Sequence, residues 1–182
     1  MERTSTVYRT YVEILKRELV CAMGCTEPIA IAYCAAVARR ALGALPSEID
    51  VAASGNIIKN VKSVIVPNTG GLRGIEAAAA IGALAGDAEA GLQVVSHVSQ
   101  EEIAALPGYM EQTAFSVSAA ESDYLLDIEV TARANGHFAT VRAVREHTNI
   151  VLVETDAGVV FSKDPDEETG RDEAAPDYTL LN

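Results

Sequence analysis

The 182-residue sequence contains no tryptophan, and six tyrosines and three phenylalanines bring the aromatic share to only 5 %. Large rings therefore cannot organise the interior, which alanine, valine and isoleucine must fill instead. Basic residues are scarce too: 14 Lys and Arg face 26 Asp and Glu, a formal net charge of −12. So acidic a chain argues against nucleic-acid backbones and anionic membrane surfaces as partners. Long apolar runs are missing as well, and the Ala-rich stretch "GIEAAAAIGALAG" (74–86) is too short to span a bilayer. Residues 1–19 are charged throughout with no apolar signal core, so secretion is not expected. Cysteine occurs only at positions 21, 25 and 34, an odd, clustered set that reads as reduced thiols in a cytoplasmic protein.

What is present is enough apolar residue, 49 %, for one ordinary core. Residues 6–22 place Val7, Tyr11, Ile14, Leu15 and Leu19 on one stripe, which predicts an amphipathic helix. The chain then breaks at "GCTEP" (24–28) and resumes with "IAIAYCAAVA", apolar all round, a nearly enclosed helix stopping at Gly43. A short strand follows over 48–54, then "GNIIKNVKSV" as a turn leading into a short helix or irregular segment. "VPNTGG" (66–71) reads as a loop, and a small-residue helix closes at Gly86. A further helix is expected over 87–95, and "SQEE" (99–102) is a capping box opening another over 100–113. From residue 114 the period changes from 3.6 to 2, with Asn135-Gly136 as a hairpin signal. The expected fold class is α+β: N-terminal helices, then a largely antiparallel sheet with one face covered by helices. The domain is expected to occupy 1–162. Residues 163–182 read as an acidic flexible tail, because "SKDPDEETGRDEAAPD" (162–177) carries seven acids against two bases. The closing "PDYTLLN" resembles the entry to another helix, with Thr179 as its cap, so the chain reads as cut short.

Three polar stretches can carry chemistry. In GCTEP, Pro28 suits a first helical turn, and Thr26 or Glu27 can cap it. Cys25 would then lie beside unpaired backbone N–H groups, which favour the thiolate that attacks electrophiles or binds metals. The plainer reading is a small residue in a tight turn. Cys21 and Cys34 read as small core residues, and the spacing of the three matches neither a zinc finger nor a usual cluster motif. "SGNIIKN" (54–60) offers Ser54, Asn56, Lys59 and Asn60 after a strand, a set able to hold a carboxylate or merely to make a turn. "PNTGG" (67–71) repeats those ingredients around Thr69. His147, in "EHTNI", is an acid–base group near neutral pH or a solvated turn residue.

Taken together, "AMGCTEPIAIAYCAA", "ASGNIIKNVKSVIVPNTGG" and "GIEAAAAIGALAG" resemble the N-terminal portion of the L-cysteine desulfidase family, relatives of the bacterial iron–sulfur L-serine dehydratases. The resemblance implies α,β-elimination of L-cysteine, giving sulfide, pyruvate and ammonia, or of L-serine. It implies an oxygen-sensitive [4Fe–4S] cluster held by three cysteines, with Cys25 as one ligand and the others on a C-terminal part that this chain lacks. No cluster is then expected on this fragment alone, which should be inactive. Ser54, Asn56, Asn60 and Thr69 become substrate-binding candidates, and Lys59 and His147 candidates for the base. The implied partners are a small amino-acid substrate, the missing C-terminal domain and, through an exposed face, a second copy of the chain. Two other readings stay open: an enzyme in which Cys25 is the nucleophile and His147 its base, and an amino-acid-binding or regulatory domain without chemistry.

Overall fold

In the computed structural model, residues 5–19, 22 and 24–166 are described. The chain divides into two units, 22–165 on one hand and 1–21 with 166–182 on the other. In the second unit, α1 (Thr6–Glu18) is opened by Ser5, whose side chain accepts the Tyr8 N–H at 3.2 Å. Cys21, the acidic tail from 167 onward and Thr179 lie outside the described residues.

The larger unit is built around α2 (Thr26–Leu42), which buries ten residues between Pro28 and Ala38. Each fully buried isoleucine, such as Ile29 or Ile31, contributes about 2 kcal/mol of apolar transfer energy. The helix ends at Gly43, whose φ of 72° is the left-handed conformation that glycine adopts without a Cβ clash. After β1 (Glu48–Ala53) come α3 (Gly55–Val61) and α4 (Gly74–Ala85). The scarcity of large side chains has a direct consequence here. A Cβ on Gly82 would strike the Ala32 carbonyl and stand 2.6 Å from the Ala32 Cα, so α4 meets α2 backbone to backbone.

The helix expected over 87–95 is absent. Only a single 3-10 turn, Gly91–Gln93, forms there. Gly91 takes a φ of 52°, and the Asp87 N–H donates to the Val94 carbonyl, closing the segment into a loop. Helix α5 (Gln100–Gln112) then opens with the expected capping box: the Ser99 side chain accepts the Glu102 N–H, and the Glu102 carboxylate accepts the Ser99 N–H.

The remaining elements are β2 (Ala114–Ala119), β3 (Asp127–Ala134), β4 (His137–Val144), β5 (Ile150–Thr155) and β6 (Gly158–Ser162). They join β1 in one six-stranded sheet of order β2-β1-β3-β4-β5-β6. β3 to β6 form the expected antiparallel meander. β1 inserts between β2 and β3, antiparallel to β3 and parallel to β2. A parallel pair needs a long crossover, and α3, α4 and α5 supply it. Along β3, Ile128, Val130, Ala132 and Ala134 are buried and alternate with Glu129, Thr131 and Arg133. Helices of this unit cover one face, and the other is a polar surface on which Arg133 pairs with Glu48 and Asp50. The α+β class is therefore what the sequence pattern requires. The registers Ala53↔Ile128, Asp127↔Val144 and Ala143↔Ile150 put the end of β1, the start of β3 and the β4–β5 turn at one end of the sheet.

Candidate functional site

At that end the polar stretches of the sequence meet. Gly24, with φ of 94°, turns the chain into an extended Cys25 (φ −65°, ψ 127°), and α2 begins at Thr26. Cys25 occupies the N-cap position but its side chain caps nothing. Instead its exposed Sγ donates to Glu27 Oε2 at 2.9 Å. The other carboxylate oxygen of Glu27 accepts Asn60 Nδ2 of α3 at 3.3 Å, and the Thr26 hydroxyl reaches Oε2 at 3.4 Å. Glu27 thus ties GCTEP to SGNIIKN across 33 residues of sequence. Pro67 of the PNTGG loop packs beside Gly24, its Cγ 3.4 Å from where a Cβ would stand.

The electrostatics differ from the sequence expectation. Partial burial raises the Cys25 pKa, and the hydrogen bond to the Glu27 carboxylate, with its negative charge, adds to the rise. A helix N-terminus favours thiolate only where no anion is already in place, and here Glu27 fills that position. The resting state is therefore a thiol. Glu27 moves the other way: the bond from Cys25, then that from Asn60 and the field of nearby His147, hold its carboxyl below the usual range against partial burial.

The remaining predicted residues fall into two groups. Ser54 and Thr69 are buried and hold their own loops together. The Ser54 hydroxyl donates to the Leu125 carbonyl at 2.8 Å, and the Thr69 hydroxyl donates to the Val66 carbonyl at 2.7 Å. Asn56 and Lys59 are exposed on α3. His147 sits half-buried in the β4–β5 turn, within electrostatic reach of Glu27. Cys34 is inside the core, where burial pushes its thiol to about 12. Among the described residues, no cluster of three or more His, Cys, Asp and Glu side chains is arranged to hold a metal ion. Sequence reasoning missed Glu27 as the organising group. Its signal, an acid two residues after a cysteine at a helix start, reads equally well as a dipole-compensating residue.

The fold and site define an α+β domain that presents an exposed thiol, proton-bonded to a carboxylate, at the start of α2. Similar chains are known as UPF0597 proteins, a name that assigns no activity. The chain is 48 % identical over 161 residues to one from Desulfitobacterium hafniense, an alignment covering 88 % of this chain and 37 % of that protein. It is 42 % identical over 182 residues to one from Treponema denticola, covering 100 % of this chain and 42 % of the relative. With one from Finegoldia magna it shares 49 % over 146 residues, 80 % of this chain and 35 % of the relative. The chain thus spans about two fifths of the length of the curated relatives it matches. No family model matches it, and no solved structure does. Among the described residues, no helix is long and apolar enough to cross a membrane.

Proposed function

We propose that this chain is the N-terminal part of an iron–sulfur-dependent amino-acid lyase, acting by α,β-elimination on L-cysteine or L-serine. The observation that carries this reading is the convergence of Cys25, Glu27 and Asn60, with His147 close by, at one end of the sheet. A [4Fe–4S] cluster fits these residues only as a single ligand. Cys25 is exposed and its proton already rests against a base, whereas Cys34, the other described cysteine, is sealed in the core. The described residues therefore do not make a complete cluster set. Further thiolates would come from beyond them, in keeping with relatives of more than twice this length.

Within this chain, the local geometry supports the following roles. Metal binding by a thiol releases a proton, and Glu27 Oε2, at 2.9 Å from Sγ, is the group positioned to accept it. Asn60 holds the second oxygen so that the first faces the sulfur. Asn56 and Lys59, exposed on the same short helix as Asn60, are the candidates for meeting the carboxylate of an arriving amino acid. In such enzymes the cluster supplies Lewis-acid polarisation of the leaving sulfur or hydroxyl. The nucleophile reading loses ground, because the Cys25 thiol bonds to Glu27 rather than His147 and its pKa is raised.

The test is an anaerobic assay for pyruvate, with sulfide from L-cysteine, on the longer protein that carries this chain. Turnover that disappears with iron content in Cys25→Ala supports the proposal. A protein that binds these amino acids but releases no pyruvate would make it a binding domain.

A further inference from the structure

The turn that joins β3 to β4 lies at the opposite end of the sheet from Cys25. Asn135 and Gly136 close it with φ of 56° and 81°, between the paired residues Ala134 and His137. Both are exposed. Among the described residues, neither the Gly136 N–H nor the Asn135 carboxamide makes a hydrogen bond. Gly136 has no side chain to shield its nitrogen, and nothing lies within 4 Å of where a Cβ would stand.

Asn56, Asn60, Asn68 and Asn149 are placed differently. Their successors are Ile57, Val61, Thr69 and Ile150, all stiff and branched at Cβ beside the backbone nitrogen. Three of their amides are also engaged. Asn60 donates to Glu27, Asn68 to the Val95 carbonyl at 2.7 Å, and Asn149 to the Val144 carbonyl at 2.9 Å. Asn56 lies within α3.

We propose that Asn135 is a site of spontaneous deamidation, with water as the only co-reactant. The Gly136 nitrogen attacks Asn135 Cγ. A C–N bond forms, the Cγ–Nδ2 bond breaks, and ammonia leaves carrying the proton from the Gly136 N–H. Asn135 must leave its left-handed conformation for this attack, a fluctuation that costs little at an exposed hairpin tip. Water then opens the cyclic imide. Addition at Cγ gives aspartate, and addition at the main-chain carbonyl carbon gives isoaspartate, whose backbone runs through Cγ. Aspartate tolerates positive φ as asparagine does, so that product keeps the turn. Isoaspartate adds a methylene to a two-residue loop. It therefore disturbs the Ala134↔His137 pairing and the His137–Asp156 bond of 2.9 Å beside it.

The experiment incubates the folded chain at neutral and at mildly alkaline pH and follows its tryptic peptides by mass spectrometry. Peptide 134–142 is expected to take the mass of aspartate and to split into two chromatographic forms. It should run about tenfold or more ahead of peptides carrying any other described asparagine, a barrier difference of about 1.4 kcal/mol. Alkaline pH should quicken the conversion, because the attacking nitrogen is the deprotonated one. A freshly made Asn135→Asp chain should melt with the parent, and the isoaspartate form below both. A folded chain left unconverted after its urea-unfolded counterpart has reacted, another asparagine ahead of Asn135, or a rate indifferent to pH overturns the site. An isoaspartate form that melts with the parent overturns its effect on the hairpin.

Discussion

The two ends of α2 are built on opposite terms. At its C-terminus every device serves stability: Gly43 turns the chain in the left-handed conformation, and Arg39 donates to the Leu84 and Gly86 carbonyls at 3.2 and 2.9 Å. Arg40 adds an exposed pair with Glu89, of small worth. At its N-terminus the cap position holds a cysteine that caps nothing, and the acid of the first turn bonds to that thiol. A Ser, Thr or Asp at the cap would have been worth about 1 kcal/mol. The difference separates the residues that hold the helix from those free to do chemistry.

That contrast can be broken most severely where α4 packs on Ala32 of α2. Gly82→Val should cost about 3 kcal/mol or more, because the added carbons meet the Ala32 backbone, and the denaturant midpoint reports it. Gly43→Ala should cost about 1 kcal/mol at the C-terminal end, read by the same measurement. At the other end, Cys25→Ala should move stability by no more than about 0.5 kcal/mol, while removing one equivalent of native iodoacetamide labelling.

The smallest effect sharpens the comparison rather than breaking it. Glu27→Gln removes the anion beside the thiol but not its partial burial, so the Cys25 pKa should fall only part of the way toward the ordinary value. Alkylation near neutral pH should then run several-fold faster, and an unchanged rate would deny Glu27 its role. The same variant should flatten the acid limb of the stability–pH curve. A carboxyl held below its unfolded value stabilises above the usual carboxylate pKa, and that contribution is lost as pH falls through the folded value.

How far the sequence could be read depended on the range of the forces involved. The capping box of α5, the Gly43 stop and the Asn135-Gly136 hairpin are local, and each formed where the pattern placed it. The parallel pairing of β1 with β2 joins strands separated by three helices, and no local period announces it. Over 87–95 a helix is expected, but Gly91 and the Asp87–Val94 bond close a loop instead. At the site, the cysteine and the polar blocks stood out by composition. The fixing of Glu27 by Asn60 could not, because tertiary folding alone brings them together. Ser54 and Thr69 show the reverse: polar residues that look available in the sequence, with hydroxyls engaged by nearby carbonyls.

The backbone contact between Gly82 and Ala32 has a kinetic consequence for the exposed thiol. Ala32 is fully buried beneath α4, and its amide should exchange with deuterium only through large-scale opening. Cys25 stands at the N-cap of the same helix, so its sulfur meets solvent while the helix that carries it is anchored in the core. Reagents that reach the thiol therefore act on the native state, without waiting for a local unfolding event.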